Sequence, residues 1–114
     1  MLSITPQQCA AVYDMLRTVP PFNTVKLPES DEIEWRCMHR QDICGEFVEF
    51  DPHIITISTA KTGHLNTLVL TIAHEMVHLW QTIDNTRNKA QHNADWYKKA
   101  KKVCTSLGFD PKAF

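Results

Sequence analysis

Residues 71–84 read TIAHEMVHLWQTID, and the two histidines inside that stretch, His74 and His78, decide how the rest of the chain is understood. At about 100° per residue, Leu65, Leu68, Val69, Ile72, Met76, Leu79, Trp80 and Ile83 fall on one broad stripe, which predicts a core-packed helix over Leu65 to Ile83. His74 and His78 project from nearly the opposite side, about 40° apart, with Thr71 beside them and Glu75 at the margin. An i, i+4 pair sets two imidazoles one turn apart, leaning the same way, so a nitrogen from each can converge on an ion about 2.0–2.1 Å away. The Glu75 carboxylate points off to the side of that chelate. From there it reaches a water in the ion's open position, where a general base is needed. With 6 histidines in 114 residues, random order places His-Glu-x-x-His somewhere in roughly 1 chain of 100. Context adds weight: the pattern lies mid-helix, and Leu70, Ala73 and Val77 beside it predict a partly dry, walled environment.

A catalytic zinc takes three protein ligands and keeps a position for water, so a third ligand must come from elsewhere. No glutamate follows Glu75, which leaves Asp84, His92 and Asp95. Asp84 sits where the third ligand falls in the pattern H-E-x-x-H-x-x-G-x-x-H, but Gln81 replaces the turning glycine and the apolar stripe runs on through Ile83. If the helix runs that far, Asp84 lies on it and cannot swing back to the ion, which makes it the less favoured alternative. His92 follows a polar loop, 84–91, long enough to reverse the chain, and it directly precedes Asn93, a predicted N-cap. A histidine at a helix start is held by local geometry, and its neutral nitrogen leaves a zinc ion strongly Lewis acidic. His92 is the favoured third ligand, with Asp95 as a partner that would orient an imidazole; the plainer role for Asp95 is a first-turn acid favoured by the helix dipole.

Around this helix the sequence predicts an α+β order. Thr5, Pro6 and Gln8 form a capping-box start for a first helix carrying Cys9, Val12, Leu16 and Val19 on one face, ended by Pro20-Pro21. Alternation over 33–39, then 43–50, then the β-branched run 54–59, predicts three strands. The short turns at 40–42 and 51–52 predict an antiparallel meander. A last helix runs from Asn93 to Gly108 with Lys98, Lys99, Lys101 and Lys102 outward; four charges on a helix face normally serve solubility, and otherwise track phosphates.

Size and composition exclude other classes. A chain of 114 residues accommodates one domain and buries well over half the surface of its unfolded form, so a single domain over 1–114 is expected. A net charge of -1 gives no bulk attraction to nucleic acid or membrane. MLSITPQQ has no basic n-region or apolar run, and no long apolar span follows, so a cytoplasmic location without membrane contact is expected. Cys9, Cys37, Cys44 and Cys104 form no C-x-x-C pair, so free thiols are the default; Cys37, His39 and Cys44 make only an irregular, partial zinc pattern.

His74-Glu75-Met76-Val77-His78, followed by His92-Asn93-Ala94-Asp95-Trp96 and a helix closing at Leu107-Gly108, resembles the SprT-like zinc metallopeptidases over roughly residues 54–108. The second block usually reads His-Gly-x-x-aromatic in that family; here Asn93 replaces the glycine, a mild departure because both residues cap helices and accept unusual backbone angles. The resemblance implies a compact zincin-like (minimal metallopeptidase) fold, Zn2+ bound by His74, His78 and His92, and Glu75 as catalytic acid/base. It also implies a protein or peptide substrate and DNA-associated targets. Neither the cysteine-rich zinc ribbon of many bacterial members nor a basic tail occurs in the sequence.

The expected function is therefore peptide-bond hydrolysis, with an edge strand, 43–50 or 54–59, adding an extended substrate to the sheet. Tyr97, His53 and His64 are oxyanion-donor candidates by chemistry alone. The alternative is a non-catalytic, zinc-stabilised binding module that recruits nucleic acid or a partner protein.

Overall fold

Thr5 starts the first helix as the sequence predicts. In the computed structural model, which describes residues 3–114, its hydroxyl accepts from the Gln8 amide at 3.2 Å while the Gln8 side chain accepts from the Thr5 amide at 3.0 Å. Helix α1 (Pro6–Leu16) buries Cys9, Tyr13 and Leu16. It ends before Val19, which the predicted face had included. Strands β1 (Glu34–Met38), β2 (Gly45–Val48) and β3 (Ile54–Ser58) come next, then α2 (Leu65–Asp84) and α3 (Ala94–Leu107). The architecture is α+β: three helices and one three-stranded sheet among the described residues.

The sheet is mixed, a correction to the expected antiparallel meander. Its order is β1-β3-β2, with β1 parallel to β3 (Glu34 opposite Ile54) and β2 antiparallel to β3 (Gly45 opposite Ile57). The chain leaves β1, crosses over residues 39–44 to a place two strands away, and returns through a hairpin into the gap. Two strand spacings are about 10 Å, well within the reach of such a linker. Hydrophobicity explains the order: Ile55, Thr56, Ile57 and Ser58 are all buried, whereas β1 and β2 each keep exposed positions. The run that buries both faces takes the centre. Of the two expected edge strands, 54–59 is therefore central and only the 43–50 segment, as β2, has an open edge.

Helix α2 is buried on nearly every side through its middle. The predicted stripe is present in Leu68, Ile72, Met76 and Leu79, but Ala73 and Val77 are also fully in the core, and only the helix ends at Leu65 and Ile83 protrude. A helix buried around most of its circumference lies inside a domain, and here α1, the sheet and α3 all pack against it, with Thr71, Glu75, His78 and Gln81 as its buried polar positions. Each fully buried Leu, Ile or Met side chain contributes about 1.5–3 kcal/mol of apolar transfer. Lys99 corrects a further expectation. Instead of pointing outward with Lys98, Lys101 and Lys102, it is buried, 2.8 Å from both Asp95 oxygens and 3.1 Å from Asp84. No helix among the described residues is long and apolar enough to cross a membrane.

Candidate metal centre

The loop after α2 is returned by a connected set of polar contacts. Asn85 ends the helix in the left-handed conformation at φ 57°, which asparagine tolerates. Buried Gln81 then donates to Asn93 at 2.8 Å and to Asp95 at 3.0 Å, and Thr86 donates to Asp95 at 2.6 Å. Asn93 is the predicted N-cap of α3: its side chain accepts from the Trp96 amide at 2.9 Å and donates to the Thr86 carbonyl at 3.0 Å. Burial pushes the Asp95 carboxyl up, but hydrogen bonds from Lys99, Thr86 and Gln81 outweigh it and hold the group down at about 2. Gln81, at the position of the turning glycine in H-E-x-x-H-x-x-G-x-x-H, thus fastens the start of α3 to the last turns of α2. His92, one residue before the cap, is placed by this arrangement.

His74, His78 and His92 come together. One candidate ligand atom from each lies within 4.8 Å of the others, and theirs is the one such group of three or more among the described residues. Ring centroids are separated by 5.5 Å (His74–His78), 5.1 Å (His74–His92) and 5.2 Å (His78–His92). Trp96 stacks on His92 at 4.0 Å and 24°, fixing the ring that comes from the loop. Burial, then repulsion from His92, lowers His74 to about 4, with the Phe114 carbonyl contact opposing. Burial, then the charges of His74, His92 and Arg87, lowers His78 to about 3; burial also lowers His92. Neutral imidazoles are the form a cation requires.

The donor set fits a divalent cation by two further observations. His74 Nδ1 lies 3.0 Å from the Phe114 carbonyl, so Nδ1–H donates and the lone pair of Nε2 is left for the centre of the trio. His78 Nδ1 is buried with no hydrogen-bond partner. An unmet buried polar atom costs about 1–3 kcal/mol, and a cation bound at His78 Nδ1 itself would supply the missing partner.

Glu75 is only 4% exposed and stands against the edge strand. A Cβ built on Gly45 would lie 3.1 Å from Glu75 Oε2, 2.9 Å from Thr71 Cγ2 and 3.2 Å from the Thr56 carbonyl, so glycine is what lets β2 approach the carboxylate. Burial, reinforced by Glu46 and partly countered by Arg87, pushes Glu75 up to about 8. Two cavities meet here, and Ile43, Gly45, His74 and Glu75 border both. One, about 620 Å³, follows β2 from Gly45 to Glu49 and reaches His78, Arg87 and His92. The other, about 430 Å³, extends towards Leu70 and Phe114.

Other sequence candidates fall elsewhere. Asp84 pairs with Lys99 and takes no place in the trio, and Asp95 orients Gln81 and Thr86 rather than an imidazole. Tyr97 is exposed with its ring 6.2 Å from His92; His53 accepts from the Phe50 amide, and His64 precedes α2. Cys37 faces Cys9 at 3.8 Å instead of joining His39 and Cys44, and all four cysteines are free. Of the three flanking residues expected to wall the histidines, Leu70 borders a cavity while Ala73 and Val77 face the core. Sequence reasoning missed Gly45, Arg87 and Phe114. Gly45 had a signal, an isolated glycine opening a strand. Arg87 was passed over as part of a polar loop, and Phe114 has no periodic partner.

An α+β chain that converges three histidines from a helix and a following loop defines a class of candidate metalloprotein. The SprT-like family model matches residues 20–113, and the chain belongs to the SprT-like family. No curated protein matches it.

Proposed function

We propose that the chain is one zinc-dependent metallopeptidase domain of zincin-like arrangement, hydrolysing peptide bonds with Glu75 as general base. The observation that supports this most is the placement of Glu75, buried beside three converging imidazoles and pressed against an open sheet edge. His74, His78 and His92 would hold Zn2+, which when bound supplies the Lewis acidity that polarises a peptide carbonyl and acidifies a water molecule. With a cation held by the trio, the Glu75 carboxyl would lie below its elevated value and could serve as a base. Glu75 accepts the proton of the attacking water and passes it to the leaving amine. The β2 edge binds the substrate backbone by strand addition, with loose sequence preference. Location in the cytoplasm and DNA-associated protein substrates are part of the same proposal; exposed Lys98, Lys101 and Lys102 offer a surface for the latter.

The test is Glu75→Gln, assayed for zinc content and for casein digestion. Zinc stays stoichiometric while cleavage falls by about 10²–10⁴-fold. Undiminished cleavage removes Glu75 from the mechanism. Zinc uptake with no cleavage by the unaltered protein favours the binding-module alternative.

A further inference from the structure

The 430 Å³ cavity beside Glu75 has a different character from the cleft along β2. The β2 cleft is rimmed by Glu46, Glu49, Arg87 and Gln91, whereas the smaller cavity is lined by the apolar Ile43, Leu70, Ala113 and Phe114 together with the uncharged polar Asn66, Thr67 and Thr71. No charged side chain borders it apart from Glu75 at the shared wall. Leu70 lies one turn before His74, so its partly exposed side chain faces the cavity next to the metal trio. Phe114 also lines the cavity, its ring 5.4 Å from that of His74.

We propose that this cavity is a subsite for an apolar side chain of a polypeptide substrate, on the C-terminal side of the bond that is cut; the proposal rests on the hydrolase reading above. Direction is set by antiparallel addition, the pairing that β2 already makes with β3 on its other side. A strand added antiparallel to β2 runs from the Val48 end towards Gly45, then past Glu75 to Ile43. Its N-terminal part lies in the polar cleft, and the residue just beyond Glu75 meets the apolar cavity. Burying a Leu, Ile, Met or Phe side chain there removes apolar surface from water on both partners, while glycine gains nothing. The subsite is continuous with the proposed reaction centre because His74 and Glu75 form its wall, which favours substrate over an unrelated partner as its occupant.

Two measurements on the full chain test this. In the first, zinc-loaded protein digests a mixed peptide library and cut sites are mapped by mass spectrometry. Leu, Ile, Met and Phe are enriched at least five-fold immediately after the cut, and both Leu70→Trp and Ile43→Trp, which place a larger side chain at the cavity lining, shift that preference towards Ala and Gly. In the second, N-acetyl-leucinamide and N-acetyl-glycinamide are titrated into the protein, and methyl NMR signals of Leu70 and Ile43 are followed. The leucine compound alone moves them, and in the two tryptophan variants the remaining methyl signal no longer responds. Methyl shifts without any cleavage retain the subsite and defeat the hydrolase reading. Cleavage with no apolar enrichment, or equal methyl responses to the two amides, overturns the subsite itself.

Discussion

Gly45→Ala is a small change with a calculable consequence. The added methyl carbon would lie 2.9 Å from Thr71 Cγ2, 3.1 Å from Glu75 Oε2 and 3.2 Å from the Thr56 carbonyl. Non-bonded carbons prefer about 3.5–4.0 Å, so the first contact is short by about half an ångström or more. The Thr56 carbonyl belongs to the central strand, and Thr71 is buried in α2, so neither yields cheaply. Overpacking of this kind costs about 1–3 kcal/mol. Alanine returns about 0.5–1 kcal/mol by restricting the unfolded chain, since Gly45 has no left-handed backbone to strain. The net expectation is a loss of about 1–2 kcal/mol in urea unfolding. Removing the opposing methyl with Thr71→Ser should relieve it, giving a double-mutant coupling of at least about 0.5 kcal/mol. Because the added group also displaces Glu75, cleavage should fall while zinc content stays unchanged. A Gly45→Ala protein as stable as the original, with no coupling to Thr71→Ser, would refute the close approach of strand and carboxylate.

Two further predictions concern the supports of the site. Deleting residues 109–114 removes the carbonyl that accepts from His74 Nδ1 and should weaken zinc affinity by about 10–100-fold, whereas Phe114→Ala, which keeps the carbonyl, should weaken it far less; competition with a chromophoric chelator measures both. Asp95 is held at about 2 against its ordinary 3.8, so the stability it contributes is fully present above pH 4 and lost as pH falls towards 2. The side chain is 29% exposed, and after solvent screening Asp95→Asn should cost about 1–2 kcal/mol at neutral pH. That deficit should vanish near pH 2 in urea titrations; a constant deficit across pH would exclude the charge as its source.

The parts of the site legible in sequence were those governed by local geometry. His74 and His78 are four apart, which places them on one face whatever the tertiary structure, and His92 was reachable from loop length and the Asn93 cap. The strands were legible as segments, but their order was not. Short turns between 33–39, 43–50 and 54–59 suggested neighbours paired in sequence, whereas the need to bury both faces of Ile54–Ser58 put that strand in the middle. The β-branched continuity of 54–59 was the available signal, and it was outweighed by loop length. Lys99 was misplaced because charge alone does not reveal that Asp84 and Asp95 lie within reach of its ammonium. Phe114 was invisible because its role depends on a contact with His74, 40 residues away.

The central claim is that three imidazoles alone, from His74, His78 and His92, hold a cation and leave one position open. X-ray absorption at the zinc edge on the metal-loaded protein addresses it directly. Three nitrogen donors of imidazole type at about 2.0–2.1 Å, with one further light atom, are expected. That further atom should be replaceable by an added anion, and one imidazole should be lost in His92→Ala. A sulfur donor, or a fourth protein ligand that no added anion displaces, would contradict the account.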